Sequence, residues 1–243
     1  MKPWAFILGL AMVSPLFWCG CANAPGRSFE SETPVAPSEI TDFDYLFSAN
    51  CAGCHGLEGR GGAAIALGNP VYLAIVDNET LDRVASGGIP GTSMPAFAQS
   101  AGGMLTERQV GIIVKGMRER WSKPDALGGA TPPPYSSNVP GDSTRGLAVY
   151  AKYCSSCHGA DGRGGTKAGS IVDGSFLALV RDQQLRTMVI VGRPELGAPD
   201  WRNNIPGSPM SAQEISDVVA WLSSQRPRFP GEPYRAKSTG EVR

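Results

Sequence analysis

Twice in this chain two cysteines stand two residues apart with a histidine directly after the second. The copies are Cys51-Ala52-Gly53-Cys54-His55 and Cys154-Ser155-Ser156-Cys157-His158. Their flanks repeat as well, Gly56-Leu57-Glu58-Gly59-Arg60-Gly61-Gly62 reading against Gly159-Ala160-Asp161-Gly162-Arg163-Gly164-Gly165. A single Cys-x-x-Cys pair fits half of a zinc site or a thioredoxin-like dithiol. With a histidine next door, a second copy and a shared Gly/Arg tail, the pattern is the one for covalent haem attachment. Each thiol adds to a vinyl group of the porphyrin, and the adjoining imidazole becomes the proximal iron ligand. His55 and His158 are the only 2 histidines of the 243 residues, and both fall in the motif. The expected cofactor is therefore two covalently bound haem c, held by Cys51, Cys54 and His55 and by Cys154, Cys157 and His158.

On these residues the chain resembles a dihaem c-type cytochrome, two class I-like cytochrome c domains in tandem, over residues from about 42 to 226. The resemblance implies an all-α fold of short helices and long loops wrapped round covalently attached haem. It also implies that the first helix of each domain crosses the last one closely, with a small residue eight before the first cysteine and an aromatic four before it. Gly146 and Tyr150 fit this in the second domain. The first has Phe47, but Phe43 stands where the small residue belongs, so a looser or shifted crossing is expected there. Trp221 supplies the aromatic usual in the last helix. The first domain has Gly116 at that place, with Trp121 as its stand-in.

Other signals follow the same repeat. Thr106-Glu107-Arg108-Gln109 and Ser211-Ala212-Gln213-Glu214 match the capping box. Apolar residues follow each at helical spacing: Val110, Ile113, Val114 and Met117, then Ile215, Val218, Val219 and Leu222. Helices preceding Cys51 and Cys154 are expected, together with short ones around 71–75, 79–85, 175–180 and 183–191. The Gly-rich stretches after the motifs read as loops folding round the haem edge. A phosphate-cradling loop would need a Gly-Lys-Ser/Thr ending and a preceding strand, which are missing.

Length allows one large or two small domains, and the doubled motif decides for two. Each is small, so a buried haem would supply much of the core. The expected division is a signal peptide over 1–20, a flexible tether over 21–41, and a first cytochrome c domain over 42–123. A semi-rigid linker with Pro132-Pro133-Pro134 over 124–141, a second domain over 142–227 and a disordered tail over 228–243 complete it. Acidic and basic residues number 22 each, which points away from nucleic acid as a partner. Lys2 leads an apolar run from Trp4 to Trp18, interrupted by Gly9 and Pro15 and short of the roughly 20 residues that span a bilayer. Gly20-Cys21 resembles a bacterial lipoprotein cleavage site, with Cys21 becoming the acylated, membrane-anchoring first residue. A plain cleaved signal and an uncleaved anchor stay open, and all three place the domains outside the cytoplasm, on the periplasmic side. Four of the 6 cysteines go to thioethers, and Cys19 and Cys21 belong to the export region, so no disulfide is expected in the mature domains.

With both histidines spent, the sixth iron position falls to methionine, another weak ligand, water or nothing. Pro90-Gly91-Thr92-Ser93-Met94-Pro95-Ala96-Phe97 resembles the family's Met-Pro-Ala-Phe ligand loop, which makes Met94 the candidate ligand of the first iron. A soft thioether there favours Fe(II) and raises the potential. Matching the repeats from Arg83 and Arg186 puts Ala198-Pro199-Asp200-Trp201 opposite that loop. The ligand's place then holds an alanine, and Met210 is the next candidate. Met210 directly precedes the Ser211 cap, where an apolar residue often packs on the first helical turn; ligation is favoured narrowly over an open iron. Arg60, Arg163 and Arg202 are candidates for neutralising haem propionates, or plain surface charges.

The resemblance implies electron transfer between redox protein partners in a respiratory chain by a membrane-tethered carrier with no catalytic residues. Two alternatives stay open: a haem subunit of a larger oxidase or quinol-oxidising complex, and an oxidoreductase using an open second haem. A dihaem peroxidase would need more histidines, and a thiosulfate dehydrogenase-like site with cysteine ligation would need a spare mature thiol.

Overall fold

Short acceptor side chains punctuate the sequence, and the helices start at them. In the computed structural model, which describes residues 34–227, Asp42 caps α1 (Phe43–Asn50) by accepting from Tyr45 N at 2.8 Å. Asn69 caps α3 (Pro70–Ile75) and Asp77 caps α4 (Asn78–Gly87). Thr106 and Gln109 close the expected capping box at α5 (Glu107–Trp121). Between α1 and α3, the single turn α2 (Ala52–His55) carries the first attachment motif. The second repeat follows the same order. Asp142 caps α6 (Ser143–Tyr153), α7 (Ser155–His158) carries the motif, and Asp173 caps α8 (Gly174–Leu179). Then come α9 (Asp182–Val191) and α10 (Ala212–Ser224), whose box pairs Ser211 with Glu214. Each satisfied cap is worth about 1 kcal/mol. The architecture is all-α, two helical repeats in tandem, and among the described residues no strand forms. The expected signal peptide, Cys21 and the tail from 228 lie outside the described residues.

The two repeats close in different ways. In the second, α6 and α10 cross at backbone distance: a side chain on Gly146 would collide with the Asp217 carbonyl. Tyr150 stacks on Trp221 at 4.2 Å between ring centroids. In the first, Phe43 at the small-residue position has its counterpart in Gly116 of α5, where a Cβ would run into the Phe43 ring. Trp121 then packs edge-on against Phe43 and Phe47, at 5.7 and 5.0 Å. The crossing is shifted, as Phe43 required, and Trp121 takes the aromatic role. Both tryptophans finish beside the same glycine of the repeat, Trp121 against Gly59 and Trp221 against Gly162.

The end of the expected flexible tether and the expected semi-rigid linker both pack on the repeats. From Pro37 onward the tether belongs to the unit that holds both repeats, because the buried Gln109 amide donates to Pro37 O at 2.7 Å and Ile40 O at 3.0 Å. The linker is a strap over the second repeat. Arg186, 4 % exposed, donates to Pro134 O and Tyr135 O, and Gln183 donates to Tyr135 O. A proline-rich backbone is short of N–H groups but keeps every carbonyl, so it suits a buried guanidinium that can only donate. Among the described residues no helix is long and apolar enough to cross a membrane.

Candidate metal centres

Each motif is one helical turn. Cys54 N and His55 N both donate to Cys51 O, at 3.2 and 3.0 Å, and Cys157 N and His158 N to Cys154 O, at 3.1 and 3.0 Å. Residues three and four apart share a helix face, so each turn brings its two thiols and its imidazole to one side. All four thiols are free. Burial, with the neighbouring thiol adding to it, pushes Cys51 up to about 12 and Cys154 to about 11. Those values are opposite to the depressed pKa of a reactive dithiol couple. Among the described residues no group of three His, Cys, Asp or Glu is arranged to hold a metal ion.

The imidazoles are aimed by backbone carbonyls. His55 Nδ1 lies 2.7 Å from Ile65 O and His158 Nδ1 lies 2.8 Å from Gly169 O. A carbonyl only accepts, so the proton sits on Nδ1 and the Nε2 lone pair is free for a metal. Burial lowers the His55 pKa against the opposing pull of the Ile65 carbonyl, which favours the neutral ring that ligation needs.

These residues fit covalent haem. Two unpaired thiols and an imidazole with its far nitrogen available face one way in each repeat. Beside the first attachment loop, the buried Trp121 indole N–H has no hydrogen-bond partner. A porphyrin propionate is an acceptor of the kind that this donor lacks. The arginines are partly committed elsewhere. Arg60 Nε donates to Gly68 O at 2.9 Å, and Arg202 pairs with Asp200 at 2.6 Å while lying over the Trp201 ring. Arg163 faces Asp161 at 3.7 Å.

The closing loops carry Met94 and Met210. After α4, Gly88 turns the chain at φ +66°, and Ile89 N donates to Met94 O at 3.0 Å. After α9, Gly192 turns it at φ +64°, and Arg193 N donates to Ala198 O at 2.9 Å. Ala198 is thus the backbone counterpart of Met94. Further on, Leu105 N donates to Phe97 O at 2.8 Å and Met210 N to Trp201 O at 2.9 Å, each directly before its helix cap. Met210 is the counterpart of Leu105. Met94 is half-buried, whereas Met210 is 3 % exposed within the core, with Asn204 Nδ2 3.7 Å from its sulfur.

Sequence reasoning had no access to the contacts that join the repeats. The Arg193 guanidinium donates to Gly62 O at 2.8 Å and Ala64 O at 3.3 Å, in the loop that holds His55, and pairs with Glu195 at 2.6 Å. Asn69 donates to Val191 O at 3.1 Å. The acceptors are backbone carbonyls far away in the chain, which leave no side-chain signature.

A family model described as "Cytochrome C oxidase, cbb3-type, subunit III" matches residues 38–115 and again 141–222. Among solved structures, the Kuenenia stuttgartiensis reducing HAO-like protein complex Kustc0457/Kustc0458 is 18 % identical at a TM-score of 0.43, over 80 % of this chain and 100 % of that one. The KustC0563 c-type cytochrome is 20 % identical at 0.29, over 34 % and 98 % of the two chains. The thiosulfate dehydrogenase TsdBA from Marichromatium purpuratum is 20 % identical at 0.31, over 90 % and 54 %.

Proposed function

The chain belongs to the cbb3-type cytochrome c oxidase subunit III family, c-type cytochromes with their domains in tandem here, and on that premise we propose that it is a dihaem electron carrier. The observation that carries this reading is the doubled turn with its imidazole Nδ1 tied to a carbonyl and both thiols free. Haem c, when bound, supplies a one-electron Fe(III)/Fe(II) couple. The polypeptide does the rest. Cys51 and Cys54, and Cys154 and Cys157, fix the macrocycles. The Ile65 and Gly169 carbonyls hold His55 and His158 in the ligating tautomer. Met94 would offer the first centre a soft thioether sulfur. The second would be held through Cys154, Cys157 and His158. Arg193 holds the two repeats in one arrangement, so an electron would cross a fixed gap.

In this reading the carrier works outside the cytoplasm, on the periplasmic side, tethered through an acylated Cys21 and exchanging electrons with respiratory redox proteins. Intact mass spectrometry of protein matured in a competent host is expected to show polypeptide plus two haems, reducible and reoxidised by a cytochrome partner. Mass equal to the bare polypeptide defeats it. Cys21→Ala is expected to move the protein from the membrane to the soluble fraction. The family description supports a second reading, a haem subunit of a larger oxidase. Purification from native membranes separates the two, since a carrier leaves as a single chain and a subunit brings its partners.

A further inference from the structure

The two closing loops share two backbone hydrogen bonds that fix corresponding positions, and between those positions they exchange their sulfur. At the first position, set by the hydrogen bond back to the residue after the glycine turn, the repeats have Met94 and Ala198. At the second, set by the bond to the residue before the helix cap, they have Leu105 and Met210. Leu105 has no ligating atom and is 6 % exposed, a core side chain. Met210 fills the same place, is more deeply buried still, and has its sulfur against the Asn204 amide. Ala198 offers a methyl group where the other repeat offers a thioether.

We propose that the second haem iron keeps an open distal position and takes a small exogenous ligand there. The chemical class is a neutral π-acceptor such as carbon monoxide or nitric oxide on Fe(II), or a small anion such as cyanide on Fe(III). Met210 stays in the core as a packing residue. The inference rests on the reading of two attached haems. It goes beyond electron transfer, because an iron that is five-coordinate in one state binds molecules as well as electrons.

The test uses the full-length matured holoprotein, with haem content fixed first by intact mass. Carbon monoxide added to the reduced protein is expected to shift the Soret band of one of the two haems. The oxidised protein is expected to show the methionine-to-Fe(III) charge-transfer band of a single centre. Met210→Leu, which installs the residue of the other repeat, is expected to leave both readings unchanged. Ala198→Met is expected to abolish carbon monoxide binding and to double the charge-transfer band. Wild-type protein that ignores carbon monoxide, with binding gained in Met210→Leu, makes Met210 the ligand and overturns the proposal. Unchanged binding in Ala198→Met overturns it too, since position 198 would then not face the iron. A mass short of two haems strikes the dihaem reading instead, a different failure seen before any ligand is added.

Discussion

In the second repeat the first helix supplies the glycine of the crossing, Gly146, and the last supplies the ring, Trp221. In the first repeat the roles are reversed, with Phe43 on α1 and Gly116 on α5. A close crossing needs one side to give up volume, and either side can do it. The two outcomes are not equivalent. Gly146 lets two backbones meet, so its neighbour is a carbonyl that cannot yield. Gly116 faces the flank of the Phe43 ring, a side chain that can move without displacing backbone. The repeat with the backbone contact also has the buried acid Asp217 across the crossing, where the first repeat, counted from the two caps, has Ile112.

The largest effect should come from forcing a side chain into the tighter crossing. Gly146→Val is expected to cost about 3 kcal/mol or more, because overpacking here displaces backbone. In the matured protein it should release or scramble the second haem and spare the first, read from haem content and the Met94-type charge-transfer band. Gly116→Val should cost less, and Phe43→Ala should restore most of the loss. If Gly116→Val proves as damaging as Gly146→Val, or Phe43→Ala fails to rescue it, the account of the exchanged roles is wrong.

Next in size is the acid that only the second crossing has. Asp217 accepts from Arg145 Nε at 2.8 Å and Nη2 at 2.9 Å, and from Asp142 N and Gln213 Nε2. The Arg145 guanidinium, with the other donors, holds its carboxyl down at about 2 against an ordinary 3.8. A depressed acid stabilises the fold fully above its unfolded value, and the contribution drains as pH falls from 3.8 towards about 2. Asp217→Asn is expected to cost about 2 kcal/mol at neutral pH. The variant should also lose that part of the acid dependence in the second repeat, with the first repeat unaffected. Thermal melts at pH 7 and pH 3 check it, and parallel pH dependence in wild type and variant would refute the assignment.

Much of this could be read from residues alone, and the reasons the rest could not are physical. Cys51 to His55 and Cys154 to His158 announce themselves because thioether chemistry fixes residue type and spacing together. The caps at Thr106 and Ser211 were legible because a capping box is local. The exchange at Phe43 and Gly116 was visible as a departure from the pattern, but its resolution depends on which helix yields, a tertiary matter. Met210 illustrates the limit best. Its place before the Ser211 cap left ligation and packing both open, because Arg83 and Arg186 stand one residue out of register in their helices, and the second loop has one residue more before Met210 than the first has before Leu105. Only the backbone hydrogen bonds show which residues correspond. The strap from 124 to 141 read as a spacer because its partners, Gln183 and Arg186, bind its carbonyls, which any sequence would offer.

The smallest expected effect concerns whether the repeats are independent at all. Arg193 belongs to the loop that leads to Ala198, yet its guanidinium reaches Gly62 and Ala64, next to the carbonyl of Ile65 that aims His55. A disturbance at the second closing loop therefore has a direct mechanical route to the proximal ligand of the first repeat. Arg193→Gln shortens the side chain and removes the fork that spans two carbonyls, at an expected cost of about 1 kcal/mol. That loss should appear as a splitting: one cooperative denaturation in the wild type, two separable steps in the variant, followed through the first repeat's charge-transfer band and the second repeat's Soret shift with carbon monoxide. Arg193→Lys should behave like the glutamine variant, because a single ammonium cannot bridge Gly62 and Ala64 while facing Glu195. Were both variants to unfold in one step like the wild type, the packing of α3 against α9 would suffice to couple the repeats, and the guanidinium would be an ornament on an interface already closed.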